Sequence, residues 1–316
     1  MAGYPPKGLI IALVTPFDEK GMIDWPSWQR LVEHVLPFGD GLLIGEGHVG
    51  EGLFLSNRMR LDLLKGSMEA VSGRKPLLLC PTANTTEETL SNVQALEEHR
   101  ARRPEDEPLF LVDIPLWYHS NRKLPDLYEE WAKCSLFPIL LYNNPHLIRR
   151  LNRSLKRTNI RTAMLKRLSE NERIVGLIQA GDLKRTMNYQ RAVRARRDFR
   201  FYDGDEKSFL NQPSSSGVVS WGANLLPSEW KEIVAASLNL SEDPAQNLIL
   251  WKQSQKLREL SQALRSNPTI GLKFALQRLG IIARAEVLDG KEAASSASEG
   301  EMGAFLRENF SLHFPP

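Results

Sequence analysis

The residues best suited to chemistry sit where short apolar runs end. Gly45-Glu46-Gly47-His48-Val49-Gly50-Glu51-Gly52 closes one run, Tyr142-Asn143-Asn144-Pro145 a second, and Asp203-Gly204-Asp205-Glu206 a third. His48 titrates near neutral pH and suits a general base or a ligand anchor. Tyr142 carries a phenol that can donate to a carbonyl or carboxylate, although a pKa of about 10 makes it a weak base alone. Four glycines within eight residues let the His48 loop turn backbone N–H groups inward as a nest for a carboxylate or phosphate, the alternative being a tight strand-to-helix turn. Glu46, Glu51, Asp203, Asp205 and Glu206 would suit metal-assisted chemistry with His48 if they converged. The expected alternative is that Glu51 and Asp205 cap helices and orient loops, with no metal and no cofactor.

Composition narrows the partners. With 42% hydrophobic and 25% charged residues, the 316-residue chain is neither collagen-like, disordered nor a disulfide scaffold. A net charge of +3, from 41 basic and 38 acidic residues, is too small to favour nucleic acid or an anionic membrane, so a small molecule is the natural partner. The run from Arg149 to Arg167 is basic but has no interleaved aromatics, and reads as a solvated helix face. Cys80 and Cys134 form no CxxC or Cys/His cluster, which fits a reduced cytoplasmic compartment. No signal-peptide pattern opens the chain, and no segment reaches the ~18 apolar residues of a membrane span.

The elements that must position these residues alternate. Eight apolar runs occur, at 10–17, 41–47, 76–83, 109–115, 137–143, 173–180, 199–206 and 217–224, and most are nearly continuous in Leu, Ile and Val, as strands buried on both faces should be. Amphipathic stretches at 25–36, 58–71, 86–103 and 124–135 lie between them, with Ser56 and Thr85 as N-caps. Eight strands in about 215 residues predict an α/β fold of the (β/α)8 TIM-barrel type, with a doubly wound sheet as the runner-up. The barrel is expected over residues 1–225. Residues 226–316 are expected to form a helical extension packed on it, with helices at 229–238, 245–264 and 270–279, and a mobile linker at 290–303 before a last short helix.

In order along the chain, GLIIALVTPFDEKGMID (8–24), GHVGEG (47–52), YNNP (142–145), IVGLIQAGD (174–182), YDGDE (202–206), GVVSWGAN (217–224) and NPTIGLKFALQRLG (267–280) resemble the dihydrodipicolinate synthase and N-acetylneuraminate lyase family of barrel aldolases. The resemblance implies a Schiff-base lysine near the end of the sixth strand, which condenses with the oxo group of pyruvate. Aligning IVG without a gap puts Ile178 at that lysine, and an isoleucine forms no imine. The family's GTTGE loop, whose threonines hold the substrate carboxylate, is here Gly47-His48-Val49-Gly50-Glu51, without either hydroxyl. Its tyrosine pair after the fourth strand is Leu116-Trp117, with Tyr118 one place on, and the synthase arginine after YNNP falls on Leu147. Tyr142 matches the family's proton-relay tyrosine.

The resemblance therefore implies two function classes. The first is a barrel that has lost Schiff-base chemistry and serves as a non-catalytic or ligand-binding homologue. The second is a lyase or aldolase acting on a 2-oxo or hydroxy acid by a route without the imine, or with a relocated lysine, Lys207 or Lys184. Tyr142, His48 and Lys207 are then the catalytic candidates. Gly47, His48, Val49, Ile178, Gly204, Trp117 and Trp221 are the binding candidates, the two tryptophans being placed either to wall a pocket or to fill it. Self-association as a dimer or tetramer through contacts near the fourth strand is also implied.

Overall fold

The computed structural model describes residues 3–104, 107–151, 157–239, 244–288 and 296–310. The eight apolar runs supply eight parallel strands, β1 (Gly8–Ala12), β2 (Gly41–Ile44), β3 (Leu77–Leu79), β4 (Leu109–Asp113), β5 (Ile139–Asn143), β6 (Ile174–Gln179), β7 (Arg200–Asp203) and β8 (Gly217–Ser220). They pair in chain order and β8 returns to β1, so the sheet is a closed barrel rather than a doubly wound layer. Apart from half-buried Arg200, every strand residue is buried, because neighbours in the sheet, the barrel interior and the outer helices leave no wet face.

Around the barrel run α1 (Trp25–Val35), α2 (Asn57–Val71), α3 (Thr86–Arg100), α4 (Pro115–Tyr118), α5 (Leu124–Cys134), α6 (Pro145–Arg149), α7 (Thr162–Leu168), α8 (Leu183–Ala192) and α9 (Glu206–Asn211). Ser56 and Thr85 cap α2 and α3 as their sequence positions predict, accepting from the N–H of Met59 at 3.3 Å and of Glu88 at 3.1 Å. Arg149, Arg150, Arg157, Arg161, Lys166 and Arg167 are exposed, as a solvated face requires, whereas Arg153 and Lys156 lie outside the described residues.

The barrel closes on two glycines. A Cβ on Gly217 would sit 1.9 Å from the Gly8 carbonyl oxygen, and one on Gly8 would sit 2.0 Å from Asp40 Oδ2. Both have positive φ, 117° and 124°. The seam between β7 and β8 has a single registered pair, Asp203 with Val218. Side chains complete it: Ser214 N donates to Asp203 at 2.8 Å, and Glu206 accepts from Ser220 Oγ and Gly222 N, both at 2.6 Å.

Beyond β8 come α10 (Pro227–Leu238), α11 (Pro244–Ala263), α12 (Pro268–Arg278) and α13 (Ser296–Phe310). The last helix corrects the expected linker at 290–303, since it begins at Ser296 and runs 15 residues rather than a short stretch. Met302, Phe305 and Leu306 recur at helical spacing and are buried, and that stripe outweighs the small polar residues around it. Residues 289–295 lie outside the described residues.

The extension is bolted to the barrel by an ion pair. Lys273 of α12 is fully buried and meets Glu51 of the loop after β2, lies 4.3 Å from the centre of the Phe17 ring, and donates to the Glu286 carbonyl at 2.6 Å. Glu51 also accepts from Leu288 N at 2.8 Å and holds φ at +54°, unusual for a residue with a Cβ. Burial pulls the Lys273 ammonium below its ordinary pKa, against the opposing pull of Glu51.

Truncating one partner strands the other as a buried charge, so Glu51→Ala is expected to cost about 3–5 kcal/mol in urea denaturation, and the pair Glu51→Gln with Lys273→Met markedly less. Equal losses would remove the pair from this role. Burial raises the Glu206 carboxyl to about 7 and that of Asp203 to about 6. The folded chain then holds the Glu206 proton that the unfolded chain releases near 4.5, so stability should fall from about pH 4.5 to about pH 7, on the order of 3 kcal/mol for this group. Glu206→Gln should flatten that fall, read as melting temperature against pH.

Candidate functional site

At the C-terminal ends of β5, β6 and β7 the register sets Tyr142 beside Ile178 and Ile178 beside Tyr202. Gly204 follows β7 and donates its N–H to the Gln179 carbonyl at 2.9 Å. A Cβ there would lie 2.9 Å from Ile178 Cγ2, 3.0 Å from Tyr142 Cε2 and 3.2 Å from the Ala180 Cβ. Three of the residues singled out from the sequence therefore meet, and they meet in the dry: Tyr142 is 5% exposed and Ile178 0%. The Tyr142 hydroxyl accepts from Asn144 Nδ2 at 3.3 Å. Burial first, and then the Glu46 charge, push its pKa well above the ordinary value, so it is a hydrogen-bond donor held neutral. Asn143 fixes the strand end by donating to Gln179 Oε1 at 2.8 Å and accepting from Ile160 N at 2.8 Å.

The glycine-rich loop departs from the open nest allowed by its composition. Glu46 Oε2 accepts from both His48 N and Val49 N at 2.8 Å, Glu51 N donates to the His48 carbonyl at 3.0 Å, and Gly52 N donates to the Glu46 carbonyl at 2.9 Å. These N–H groups are consumed by the loop itself. Gly47 is hemmed by Ile114, Leu53 and Leu147, whose methyls would lie 2.8, 2.8 and 3.0 Å from a Cβ there. Val49 is fully buried. Leu147 thus turns a methyl, not a guanidinium, toward the loop, and Arg150 stacks over the Phe54 ring at 5.7 Å.

His48 and Trp221 form a second group, at the rim. Their rings lie 5.6 Å apart and both line a niche of about 260 Å³ with Asn267 and Pro268. Trp117 stands apart from both groups in its hydrogen bond, donating to Asn84 Oδ1 at 3.0 Å. Lys207 is exposed on α9 and faces α11 across a groove shared with Arg258, and neither Asp203 nor Glu206 pairs with it. Lys184 is exposed on α8.

The five loop carboxylates do not converge. Glu46 binds its own loop, Glu51 binds Lys273, Asp203 binds Ser214, Asp205 caps α9 through Ser208 N at 2.7 Å, and Glu206 binds Ser220 and Gly222. Among the described residues no three His, Cys, Asp or Glu side chains group as metal ligands.

One buried cluster escaped sequence reasoning. Asp113, at the end of β4, accepts from Thr82 Oγ1 at 2.8 Å, Tyr118 OH at 2.9 Å and Tyr128 OH at 2.8 Å. Burial pushes its carboxyl up, while the three hydroxyls pull it back. Its signal was a lone acid ending the apolar string LFLVD. Tyr118, the displaced tyrosine, thus has its hydroxyl engaged within its own chain.

The chain matches the Dihydrodipicolinate synthetase family over residues 5–306. It is similar to the 4-hydroxy-tetrahydrodipicolinate synthases of Sodalis glossinidius (29% identity over 282 residues) and Pseudomonas aeruginosa (27% over 283), in each case across 87% of this chain and 89% of the relative. Among solved structures it resembles dihydrodipicolinate synthase of Thermotoga maritima (TM-score 0.80, 24% identity, 98% of this chain and all of that one). It also resembles YagE of Escherichia coli K12, a prophage protein of the same family in complex with pyruvate (TM-score 0.80, 20% identity, 96% and 98%). The closed eight-stranded barrel, its helical extension and the match over nearly the whole length establish that the chain belongs to the dihydrodipicolinate synthetase family.

Proposed function

We propose that this chain is a family barrel without Schiff-base aldolase chemistry, acting as a non-catalytic or ligand-binding homologue. The observation that carries the reading is Ile178, fully buried beside Tyr142 and against Gly204, where the resemblance expects an amine. Without a nucleophilic amine there is no covalent electron sink for a carbanion next to the former oxo carbon. Two further features support it. Glu46 takes the His48 and Val49 amides with its own carboxylate, so an incoming carboxylate would be buried there without those donors, at a cost of several kcal/mol. The neutral phenol of Tyr142 can donate to a ligand oxygen but has no neighbouring threonine hydroxyls from the loop through which to pass a proton.

The ligand on this reading is a small 2-oxo or hydroxy acid held without a covalent bond. A relocated lysine is the rival route. Lys207 and Lys184 are exposed on outer helices and Lys273 is tied to Glu51. No described helix is long and apolar enough to cross a membrane. The unbonded thiols Cys80 and Cys134 fit a reducing, cytoplasmic setting.

Borohydride treatment of the full chain with pyruvate and other 2-oxo acids, followed by intact mass and peptide mapping, should yield no lysine adduct. Ile178→Lys alone should not gain substantial lyase turnover, because the loop lacks its threonines. A trapped adduct on the wild type, at Lys207, Lys184 or Lys273, would instead establish a relocated lysine. Light scattering at micromolar concentration should report a dimer or tetramer, and a monomer alone would remove self-association from the proposal.

A further inference from the structure

Between α9 and α11, just outside the rim, lies a groove of about 560 Å³ whose charged lining is all of one sign. Lys207 and Leu210 contribute from α9, and Arg258, Ser261, Gln262 and Arg265 from the opposite side. The last four are spaced i, i+3, i+4 and i+7, and the helical turn continues to Arg265, whose N–H donates to the Gln262 carbonyl at 3.1 Å. One stripe of α11 and its C-terminal turn thus presents two guanidinium groups, a hydroxyl and an amide to a common space.

These cations lack the partners that usually neutralise surface charge. Among the described residues no carboxylate pairs with Lys207, Arg258 or Arg265. Three acids are engaged elsewhere: Glu206 with Ser220 and Gly222, Asp205 with Ser208, and Glu229 with Lys256 at 2.6 Å. Arg258 is held in place, since Nη2 donates to the Leu210 carbonyl and to Asn211 Oδ1, both at 3.1 Å, which leaves Nη1 and Nε for another acceptor. Three like charges facing one groove repel until an anion joins them. Guanidinium pairs suit oxyanions in particular, through forked hydrogen bonds.

The groove also leads somewhere. Ser261 and Arg265 line both it and the rim niche that contains His48 and Trp221. A ligand anchored by its charged end at Lys207, Arg258 and Arg265 can lay its remaining atoms against Trp221 and His48, and the two volumes suit a small metabolite. We propose that this groove binds a small dianion, a phosphate monoester or a dicarboxylate, at the rim of the barrel. The site stands whether or not imine chemistry is lost, because it is read as reversible binding rather than as an adduct, and of its residues only Lys207 is among the lysines that the borohydride test maps.

Calorimetric titration of the full chain with inorganic phosphate, glycerol 3-phosphate, glutarate and acetate tests it. At least one dianion should bind saturably with Kd below about 1 mM, more tightly than acetate and less tightly as salt is raised. Arg265→Gln and Lys207→Gln should each weaken binding about tenfold, the loss of one charge-assisted contact, while Lys166→Gln on the remote helix α7 leaves it unchanged. The phosphate and glutarate arms decide between the two head groups. No dianion binding below that limit, no preference over acetate, or equal affinity in all three variants would overturn the proposal.

Discussion

The buried pair of Lys273 and Glu51 governs the geometry of everything at the mouth of the barrel. Glu51 ends the loop that carries Gly47, His48 and Val49, while Lys273 lies on the helix whose cap, Asn267, accepts from Ile270 N at 3.1 Å and lines the rim niche. One contact therefore sets the distance between loop and helix. Two charges taken out of water recover their hydration only in near-ideal geometry, so the pair tolerates little sliding of one part past the other. The Glu51 carboxylate reaches Leu288 N as well as Lys273, which fixes the left-handed backbone at Glu51 from outside the loop. At the loop's other end Glu46 binds the His48 and Val49 amides. Between these anchors the loop has one shape.

That shape divides the mouth into a dry interior and a wet rim. Tyr142, Ile178 and Gly204 pack inside with Leu53, Ile114 and Leu147 nearby at Gly47, while His48 and Trp221 face a niche that opens toward the groove of Lys207 and Arg265. Asp113, buried at the end of β4, is satisfied locally by its three hydroxyl donors.

The strands and their order were legible because strands buried on both faces leave continuous apolar strings, and such strings survive in a single sequence. The run IVGLIQ was legible as β6 for the same reason, and the barrel registers its Ile178 with Tyr142. The carboxylates were harder. Glu46, Glu51, Asp203, Asp205 and Glu206 are close in type and in sequence, yet each turns to a different partner set by loop geometry and by residues as distant as Lys273. Alpha-helix α13 was masked by small polar residues, because its buried stripe of Met302, Phe305 and Leu306 is only three residues deep. The Asp113 cluster draws on the loop after β3, on β4, α4 and α5, and no local pattern announces a meeting of that kind.

The glycine contact that seals β8 to β1 bears on how the chain is made as well as on how it stands. Gly217 follows Gly8 by about two hundred positions, so the first strand waits with one edge unpaired while the strands between them are synthesised. Closure joins residues far apart in sequence, the kind of contact that slows folding most. At Gly217 the last step is a fit of main chain to main chain, because a Cβ there would meet the Gly8 backbone.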